Sequence, residues 1–162
     1  MNIDANFQTP TKLCYYIINQ LEIKKSDIIL EPTPGLGNFV TIFQEKKFNY
    51  RTPKGDFFKE KFDSKFDLII GNPPFTPMKL AYQIFEHCFA YLLKDDGQIV
   101  FILPMLFLIN STKRLHQYLP HISKIILLDR TVFTGSRIQS AIFFFSKKIK
   151  EKETICLAYK EK

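Results

Sequence analysis

The sequence predicts an α/β protein built on a Rossmann-like, mostly parallel sheet. Three stretches carry this prediction. Residues 27–47 contain an apolar strand, a glycine-rich turn and an amphipathic helix, which together are the first unit of such a sheet. Residues 66–71 form a second apolar strand that precedes a rigid turn and a helix, and residues 98–103 form a third. The length of 162 residues fits a single domain, 1–162, with a substantial core.

Composition limits the classes of function. The chain is 46% apolar and 24% charged, as in water-soluble globular proteins. Lysine and arginine outnumber aspartate and glutamate by 23 to 16, and the net charge of +7 favours a polyanionic partner slightly over a lysine-rich surface without one. The longest apolar run, residues 99–109, is too short to cross a bilayer, and the first residues lack a signal-peptide pattern. We therefore expect a cytoplasmic protein without membrane contact.

Cysteine and histidine usage argues against metal chemistry. The three cysteines are widely spaced with no Cys-x-x-Cys pair, and the three histidines lack metal-ligand spacing. We therefore expect no zinc site and no required disulfide. Each cysteine lies among apolar residues, so we expect all three to be core thiols.

The first predicted element is a helix. Thr9 as N-cap and Pro10 as the first helical residue predict a helix that runs to about Glu22. The stretch Phe7-Gln8-Thr9-Pro10 has two interpretations, an ordinary helix start or one wall of a ligand site, and its local chemistry favours the helix start.

The strand–turn–helix unit follows. A strand over 27–31 ends in a carboxylate, Glu31, and a helix is predicted over 39–47. Gly35 and Gly37 in the connecting turn let the backbone approach a ligand without interference from a Cβ atom. The helix N-terminus behind them supplies free N–H groups. A Gly-Lys-Ser/Thr sequence is absent, so the turn is not a P-loop.

The next segment is short for this fold. Residues 48–51 can form a strand and residues 52–55 form a turn. A doubly wound sheet normally places two strands and a helix between the glycine turn and the strand at 66–71. We therefore expect one helix–strand unit to be missing or reduced to a turn.

The remaining elements come from periodicity and turn signals. We predict a long helix capped by Thr76 and running from Pro77 to about Leu93, a turn over 94–97 and a strand over 98–103; then a helix capped by Ser111 or Thr112 and running to Leu119, and strands over 124–128, 139–147 and, at the sheet edge, 154–159.

Asn72-Pro73-Pro74-Phe75 follows the strand at 66–71, at the sheet edge where ligands bind in open α/β proteins. The prolines fix φ and remove two backbone donors, which leaves an excess of acceptors. These acceptors are the side-chain oxygen of Asn72 and the carbonyls of Asn72 and Pro73, and Phe75 offers a flat apolar face beside them. Such a site suits a planar group that carries an amino group.

These motifs resemble those of the adenine-N6 DNA methyltransferases, within the class I S-adenosylmethionine-dependent fold. Three occur in that family's order: Phe7-Gln8-Thr9-Pro10, the loop from Glu31 to Phe39, and Asn72-Pro73-Pro74-Phe75. The segments 55–58, 130–133 and 140–147 also resemble family segments. The resemblance covers nearly the whole chain. It implies a three-layer sandwich with a mostly parallel sheet and an antiparallel final strand, here shortened after the glycine-rich loop.

The resemblance implies S-adenosylmethionine as cofactor. In the family, the glycine loop passes under the methionine part, the acid before it faces the ammonium group and the Asp-Phe segment holds the adenine. Carried over to this sequence, the cofactor-binding residues are Phe7, Thr9, Pro10, Glu31, Pro32, Gly35, Gly37, Asp56, Phe57 and Asn72.

The resemblance also implies the catalytic residues, Asn72, Pro73, Pro74 and Phe75. Asn72 and Pro73 would accept the two hydrogens of the target amine while Phe75 stacks on the base. Two acceptors aimed at these hydrogens favour a more negative nitrogen as the methyl group arrives, which stabilises the transition state. No metal is needed.

The sequence departs from the family pattern in two ways. The region 50–53 lacks the acidic residue that usually binds the cofactor ribose. No segment is large enough for a separate target-recognition domain, so sequence specificity would come from short loops, would come from a partner such as a separate specificity subunit, or would be low. The candidate contacts to DNA phosphates are the basic residues Arg130, Arg137, Lys113 and Arg114, for which a solvated surface is an equally good interpretation.

Three functions are therefore open. The first is methylation of adenine N6 in DNA. The second is methylation of another planar nitrogen, such as adenine in RNA or an amide in a protein. The third is a non-catalytic relative that binds nucleic acid or a methyltransferase subunit, which the missing ribose acid and the shortened core would suit.

Overall fold

The computed structural model describes residues 8–75, 77–109, 113–133, 138–149 and 154–160. They form one seven-stranded sheet of order β2-β1-β3-β4-β6-β5-β7, in which only β6 runs antiparallel to its neighbours. The strands are β1 Ile28–Leu30, β2 Asn49–Arg51, β3 Phe66–Gly71, β4 Leu93–Pro104, β5 Ile122–Leu128, β6 Ser140–Ser146 and β7 Ile155–Tyr159. The helices are α1 Thr11–Ile18, α2 Asn38–Glu45, α3 Met78–His87, α4 Leu106–Ile109 and α5 Lys113–His116.

The first half of the sheet is parallel and abbreviated. β1 lies between β2 and β3, and β2 is an edge strand of three residues. Between β2 and β3 the chain forms only a 3-10 turn, Phe57–Lys59. The prediction that one helix–strand unit is reduced to a turn is therefore confirmed.

The helix α1 is shorter at both ends than predicted. Pro10, not Thr9, occupies the N-cap position, and no side chain caps the helix. Thr9 is instead held through its backbone oxygen, which accepts from Asn38 Nδ2 at 2.7 Å. The helix ends at Ile18 and not near Glu22, because the following amides bond three residues back and tighten the chain into a turn.

The connection from α3 to β4 also differs from the prediction. The α-helix stops at His87 and continues as one π-helical turn, Cys88–Leu92, while its predicted cap Thr76 lies outside the described residues. The predicted turn at 94–97 is instead an irregularity inside β4. Phe66 of β3 pairs with Leu93 and Leu68 pairs with Gln98, so β4 has three more residues than β3 between these two pairs. At the start of this irregularity, Lys94 Nζ donates to the carboxylate of Asp67 in β3 at 2.8 Å.

The core is aromatic and centres on β6. Six consecutive residues of β6, 140–145, are buried, because the strand lies inside the sheet with helices over its faces. Phe143 and Phe145 pack against Phe107 of α4. The ring centre of Phe145 lies 4.5 Å from that of Phe85 of α3. The phenylalanine-rich strand β6 therefore packs the sheet against α3 and α4.

The sheet contains one antiparallel strand, as the resemblance implies, but it is the last strand but one and not the final strand. This strand is β6, and it pairs with β4 and β5. The edge strand β7 follows it and pairs in parallel with β5. Cys156 lies on this edge and is exposed, so the prediction that it is a core thiol is wrong, whereas Cys14 and Cys88 are buried. No helix in the described ranges is long and apolar enough to cross a bilayer.

Candidate active site

A small cavity opens at the carboxyl ends of β1 and β3. Its volume is about 50 Å³, which is room for a few water molecules. Of the residues that the sequence predicts as functional, it brings together Thr9, Glu31, Gly35 and Asn72. The remaining lining residues are Gln8, Thr33, Pro34, Asn38 and Phe39. Gln8, Thr33 and Asn38 carry polar groups in this cavity; they lie inside the two predicted motifs but were not singled out as site residues.

The glycine loop forms one wall, and its two glycines have backbone conformations that favour glycine. Gly35 has a φ of +53° and Gly37, the N-cap of α2, has a φ of +84°. A Cβ atom at Gly35 would lie 2.6 Å from Oε1 of Gln8. The same Gln8 oxygen accepts from the amide of Leu36 at 3.0 Å. Gln8 therefore lies directly against the loop.

Glu31 is the buried acid of the site, at 1% exposure. Its carboxylate accepts from the amide of Thr33 at 2.9 Å, with the Thr33 hydroxyl at 3.5 Å. Burial raises the pKa of Glu31 to about 8, and the hydrogen bonds from Thr33 oppose this shift. A Cβ atom at Gly71 would lie 2.5 Å from the same carboxylate, so this position of β3 needs glycine for the acid to fit.

The segment before α1 is bonded to the glycine loop. The backbone oxygen of Thr9 accepts a hydrogen bond from the Asn38 side chain and a weaker one from Cys14 Sγ, which lies 3.8 Å away. Burial raises the pKa of the Cys14 thiol, and the charge of Glu31 adds to the shift. Cys14 is thus a neutral packing group next to the site. Pro10 precedes α1 and Pro32 is buried, and neither lines the cavity.

The Asn-Pro-Pro-Phe motif leaves β3 at the edge of the cavity. Asn72 lines the cavity, Pro73 is buried and Pro74 is exposed. Phe75 is only 8% exposed and belongs to the hydrophobic core. The motif therefore places an amide at the cavity, but a planar ligand could reach the face of Phe75 only after local rearrangement.

The structure does not bring Asp56 and Phe57 to this cavity. The Asp56 carboxylate is exposed, accepts from the amide of Phe58 at 3.0 Å and lies 3.8 Å from Lys59 Nζ. Phe57 is buried, with its ring centre 5.5 Å from that of His87. Asp56 thus caps a 3-10 turn and Phe57 packs in the core.

The other predicted site residues lie elsewhere. Arg130 follows β5 and is exposed. Phe7 and Arg137 lie outside the described residues, and so do the side chains of Lys113 and Arg114, although the backbone of these two belongs to α5. Within the described residues, no group of three or more His, Cys, Asp and Glu side chains could hold a metal ion.

Comparison with known proteins identifies the fold. No family model and no curated protein matches the sequence. Among solved structures, a protein of Listeria monocytogenes assigned to the class I S-adenosylmethionine-dependent methyltransferases is similar, with a TM-score of 0.76 and 16% identity over 96% of this chain and 67% of that one. A modification subunit assigned to a type I restriction enzyme of Vibrio vulnificus YJ016 has a TM-score of 0.69 and 15% identity, over 87% of this chain and 44% of its own.

A third similar structure is that of a protein named as an RNA methyltransferase. It is the 23S rRNA methyltransferase ErmE, with a TM-score of 0.60 and 15% identity over 89% of this chain and 70% of that one. The present chain thus has the Rossmann-like fold of the class I S-adenosylmethionine-dependent methyltransferases, and it spans less than half of the length of the modification subunit.

Proposed function

We propose that this protein is an S-adenosylmethionine-dependent methyltransferase that acts on the N6 amino group of adenine in DNA. The observation that carries the proposal is the cavity at the carboxyl ends of β1 and β3. There the amide-bearing residue of an Asn-Pro-Pro-Phe motif, a glycine loop and a buried acid meet. This is the sheet edge at which open α/β proteins bind ligands.

The residues of the cavity fit the methionine end of the cofactor. Glu31 would face the ammonium group, and the loop of Gly35 and Gly37 would run beneath the methionine chain. Thr9 and Pro10 would close this end, together with Phe7. The amino end of α2 behind the loop would favour the carboxylate. When bound, the cofactor supplies an activated methyl group on a sulfonium.

The present cavity accommodates only part of such a ligand. Pockets for ligands of this size measure about 300–1,000 Å³, whereas this one measures about 50 Å³. Gln8 lies in the space above Gly35 and would have to turn away. The adenine end would then extend toward Asp56 and Phe57, and Asp56 would exchange the amide of Phe58 for the amino group of the adenine.

On the target side, Asn72 and Pro73 would provide the acceptors. The lone pair of an exocyclic amine is conjugated into the ring, which makes the nitrogen a poor nucleophile. The Asn72 side-chain oxygen and the Pro73 carbonyl would hold the two hydrogens and favour a pyramidal, more negative nitrogen. This stabilisation is greatest as the methyl group transfers, so it lowers the barrier more than it strengthens binding. Alignment of nitrogen, methyl and sulfur supplies the rest.

A nucleic acid is the proposed target because the chain carries a net charge of +7. An adenine in a duplex would have to be flipped out of the stack to reach Asn72. Stacking on Phe75 would then be worth about 1–3 kcal/mol, as for other base–aromatic contacts. Pro74 would keep the motif rigid between the acceptors and the ring.

Residues 1–162 are proposed to act as one catalytic domain. The modification subunit of Vibrio vulnificus is more than twice as long as the part that this chain matches. We propose that DNA sequence recognition comes from a separate specificity subunit, and that phosphate contacts come from basic residues such as Arg130, Arg137, Lys113 and Arg114.

Two alternatives also have observations in their favour. The similarity to a 23S rRNA methyltransferase favours adenine in RNA as the target. The small cavity, together with the absence of an acid in 50–53, favours a non-catalytic relative that binds nucleic acid or a methyltransferase partner.

Transfer of a labelled methyl group from S-adenosylmethionine to DNA, RNA and protein separates these functions. The proposal predicts incorporation into DNA, and a rate about 10²–10³-fold lower for Asn72→Ala, as for loss of one transition-state hydrogen bond in other enzymes. Incorporation into RNA alone would refute the DNA assignment. If calorimetry detected no cofactor binding by the wild-type protein, the non-catalytic alternative would replace the proposal.

A further inference from the structure

Gln139 ties together two strand ends and an arginine at the same sheet edge as the cavity. Its Oε1 accepts from Arg130 Nε at 3.2 Å, and its Nε2 donates to the backbone oxygen of Leu128, the last residue of β5, at 2.5 Å. Its own backbone oxygen accepts from the amide of Met105, directly after β4, at 2.8 Å. The two side-chain bonds require opposite ends of the amide, so they fix its orientation.

Arg130 is exposed, and its bond to Gln139 engages only the Nε atom of the guanidinium. A guanidinium has five N–H donors, and the bond to Gln139 uses the Nε–H, which leaves the four N–H donors of the two terminal amino groups for other acceptors. The adjacent carboxylate, Asp129, accepts from the amide and the hydroxyl of Thr131 at 2.9 and 2.7 Å. No acid in the described part of the chain forms an ion pair with Arg130. Within the described residues, Arg130 is therefore a cation that is oriented by Gln139 and has no ion-pair partner.

The position of Arg130 relative to Asn72 indicates what it could contact. β3 and β5 are separated by β4 and β6, which makes three strand spacings. At about 4.8 Å each, the ends of these strands lie about 14 Å apart. That is too far for contact with the target base, but it is about four base pairs along a duplex. A fixed guanidinium at this distance suits a backbone phosphate, which it can bind through two N–H groups.

We propose that Arg130 binds a backbone phosphate that flanks the target base, and that Gln139 is the positioning residue that orients it. This inference rests on the proposed nucleic-acid substrate and deepens it. Gln139 contributes through Arg130 and makes no contact with the substrate itself. It also joins the ends of β4 and β5, so the phosphate contact is held rigidly to the sheet that carries Asn72.

Binding of a fluorescently labelled, adenine-containing DNA duplex, measured by anisotropy over a range of salt concentrations, tests the proposal. Arg130→Gln should weaken binding about tenfold at low salt, as for loss of a charged hydrogen bond. It should also reduce the slope of log K against log salt by about 0.9, which corresponds to one phosphate contact. Lys148→Ala, which removes one exposed charge near the opposite edge of the sheet, is the matched control and should leave that slope nearer to the wild-type value.

The role of Gln139 is tested by combining variants. Gln139→Ala should weaken DNA binding in the wild-type background and have no further effect in the Arg130→Gln background, because the two residues act as one unit. An equal loss in both backgrounds would overturn the positioning role. If Gln139→Ala does not fold, Arg130→Gln alone still decides the phosphate contact, and a wild-type slope for that variant would overturn it.

Methyl transfer measured on the same proteins separates this proposal from the proposed function. DNA binding that depends on Arg130, without methyl transfer by the wild type, would refute the proposed function and support the phosphate contact. If Arg130→Gln instead transferred methyl groups to DNA with the wild-type KM and salt slope, the proposed function would be supported and the phosphate contact would be refuted.

Discussion

Glu31 is an acid enclosed by the protein at the point where a ligand is proposed to bind. Its carboxylate has the Thr33 amide as a donor, and Gly71 leaves just enough space for it. Burial nevertheless raises its pKa to about 8. Burial deprives the ionised carboxylate of hydration. A bound ammonium group would stabilise the ionised form by its positive charge, so this acid is suited to a cationic ligand.

The raised pKa of Glu31 predicts how stability changes with pH. Below about pH 4.5 the Glu31 carboxyl is protonated in both the folded and the unfolded protein. Between about pH 4.5 and pH 8 it is protonated in the folded protein and ionised in the unfolded protein. Rising pH therefore favours the unfolded chain in this range. We expect the free energy of unfolding of the wild type to fall relative to Glu31→Gln between pH 5 and pH 8, as measured by urea denaturation. Parallel pH profiles of the two proteins would contradict this account of Glu31.

Gly71 gives a second test at the residue scale. Gly71→Ala would bring a Cβ atom to 2.5 Å from Oε1 of Glu31, so the acid or the strand must shift. We expect a loss of about 1–3 kcal/mol in the free energy of unfolding, as for other overpacked core sites. Gly55→Ala is the matched control, since a Cβ atom there would have no neighbour within 4 Å. Equal stability of both variants would show that Glu31 is not confined in this way.

At the scale of elements, local signals predicted some parts well and failed at others. β3 was predicted with its observed bounds, because an apolar run ends at two prolines. The start of α1 and the irregular course of residues 94–97 inside β4 could not be predicted, because both involve contacts with residues distant in sequence. Thr9 is held by Asn38, and Lys94 is drawn to Asp67.

The Asp67 carboxylate joins three strands at the amino edge of the sheet. It lies on β3, accepts from the amide of Ile28 in β1 at 2.8 Å and binds Lys94 Nζ of β4 at 2.8 Å. Partial burial raises the pKa of Asp67, but these hydrogen bonds and the lysine charge outweigh burial and lower it. Its stabilising contribution is therefore present at neutral pH and is lost as the pH falls below about 4.

Asp67→Ala should therefore destabilise the fold by about 1–3 kcal/mol at neutral pH, since it removes charged hydrogen bonds and leaves the Ile28 amide without this acceptor. Asp63→Ala, at an exposed position in the loop before β3, is the control and should change stability by less than about 0.5 kcal/mol. Urea denaturation of both variants measures the difference. If the two losses were equal, Asp67 would not be a structural link between these strands.

At the scale of the whole molecule, the sheet brings together residues that are far apart in sequence. The sequence predicted four of the residues that line the cavity, Thr9, Glu31, Gly35 and Asn72, because glycines, prolines and an acid mark their motifs. It did not predict Gln139, since a single glutamine beside a strand has no signature, and only the antiparallel insertion of β6 brings it beside β4 and β5. The same edge thus holds the cavity on one side and an oriented arginine on the other.

The central claim is that this edge transfers a methyl group to the N6 atom of adenine. The most direct test is mass spectrometry of the nucleosides from DNA incubated with the protein and with S-adenosylmethionine that carries a deuterated methyl group. The account predicts the heavy methyl group on N6 of deoxyadenosine, formed at a rate about 10²–10³-fold lower with Asn72→Ala. A heavy methyl group only on another nucleoside, or none on DNA although the cofactor binds, would contradict it.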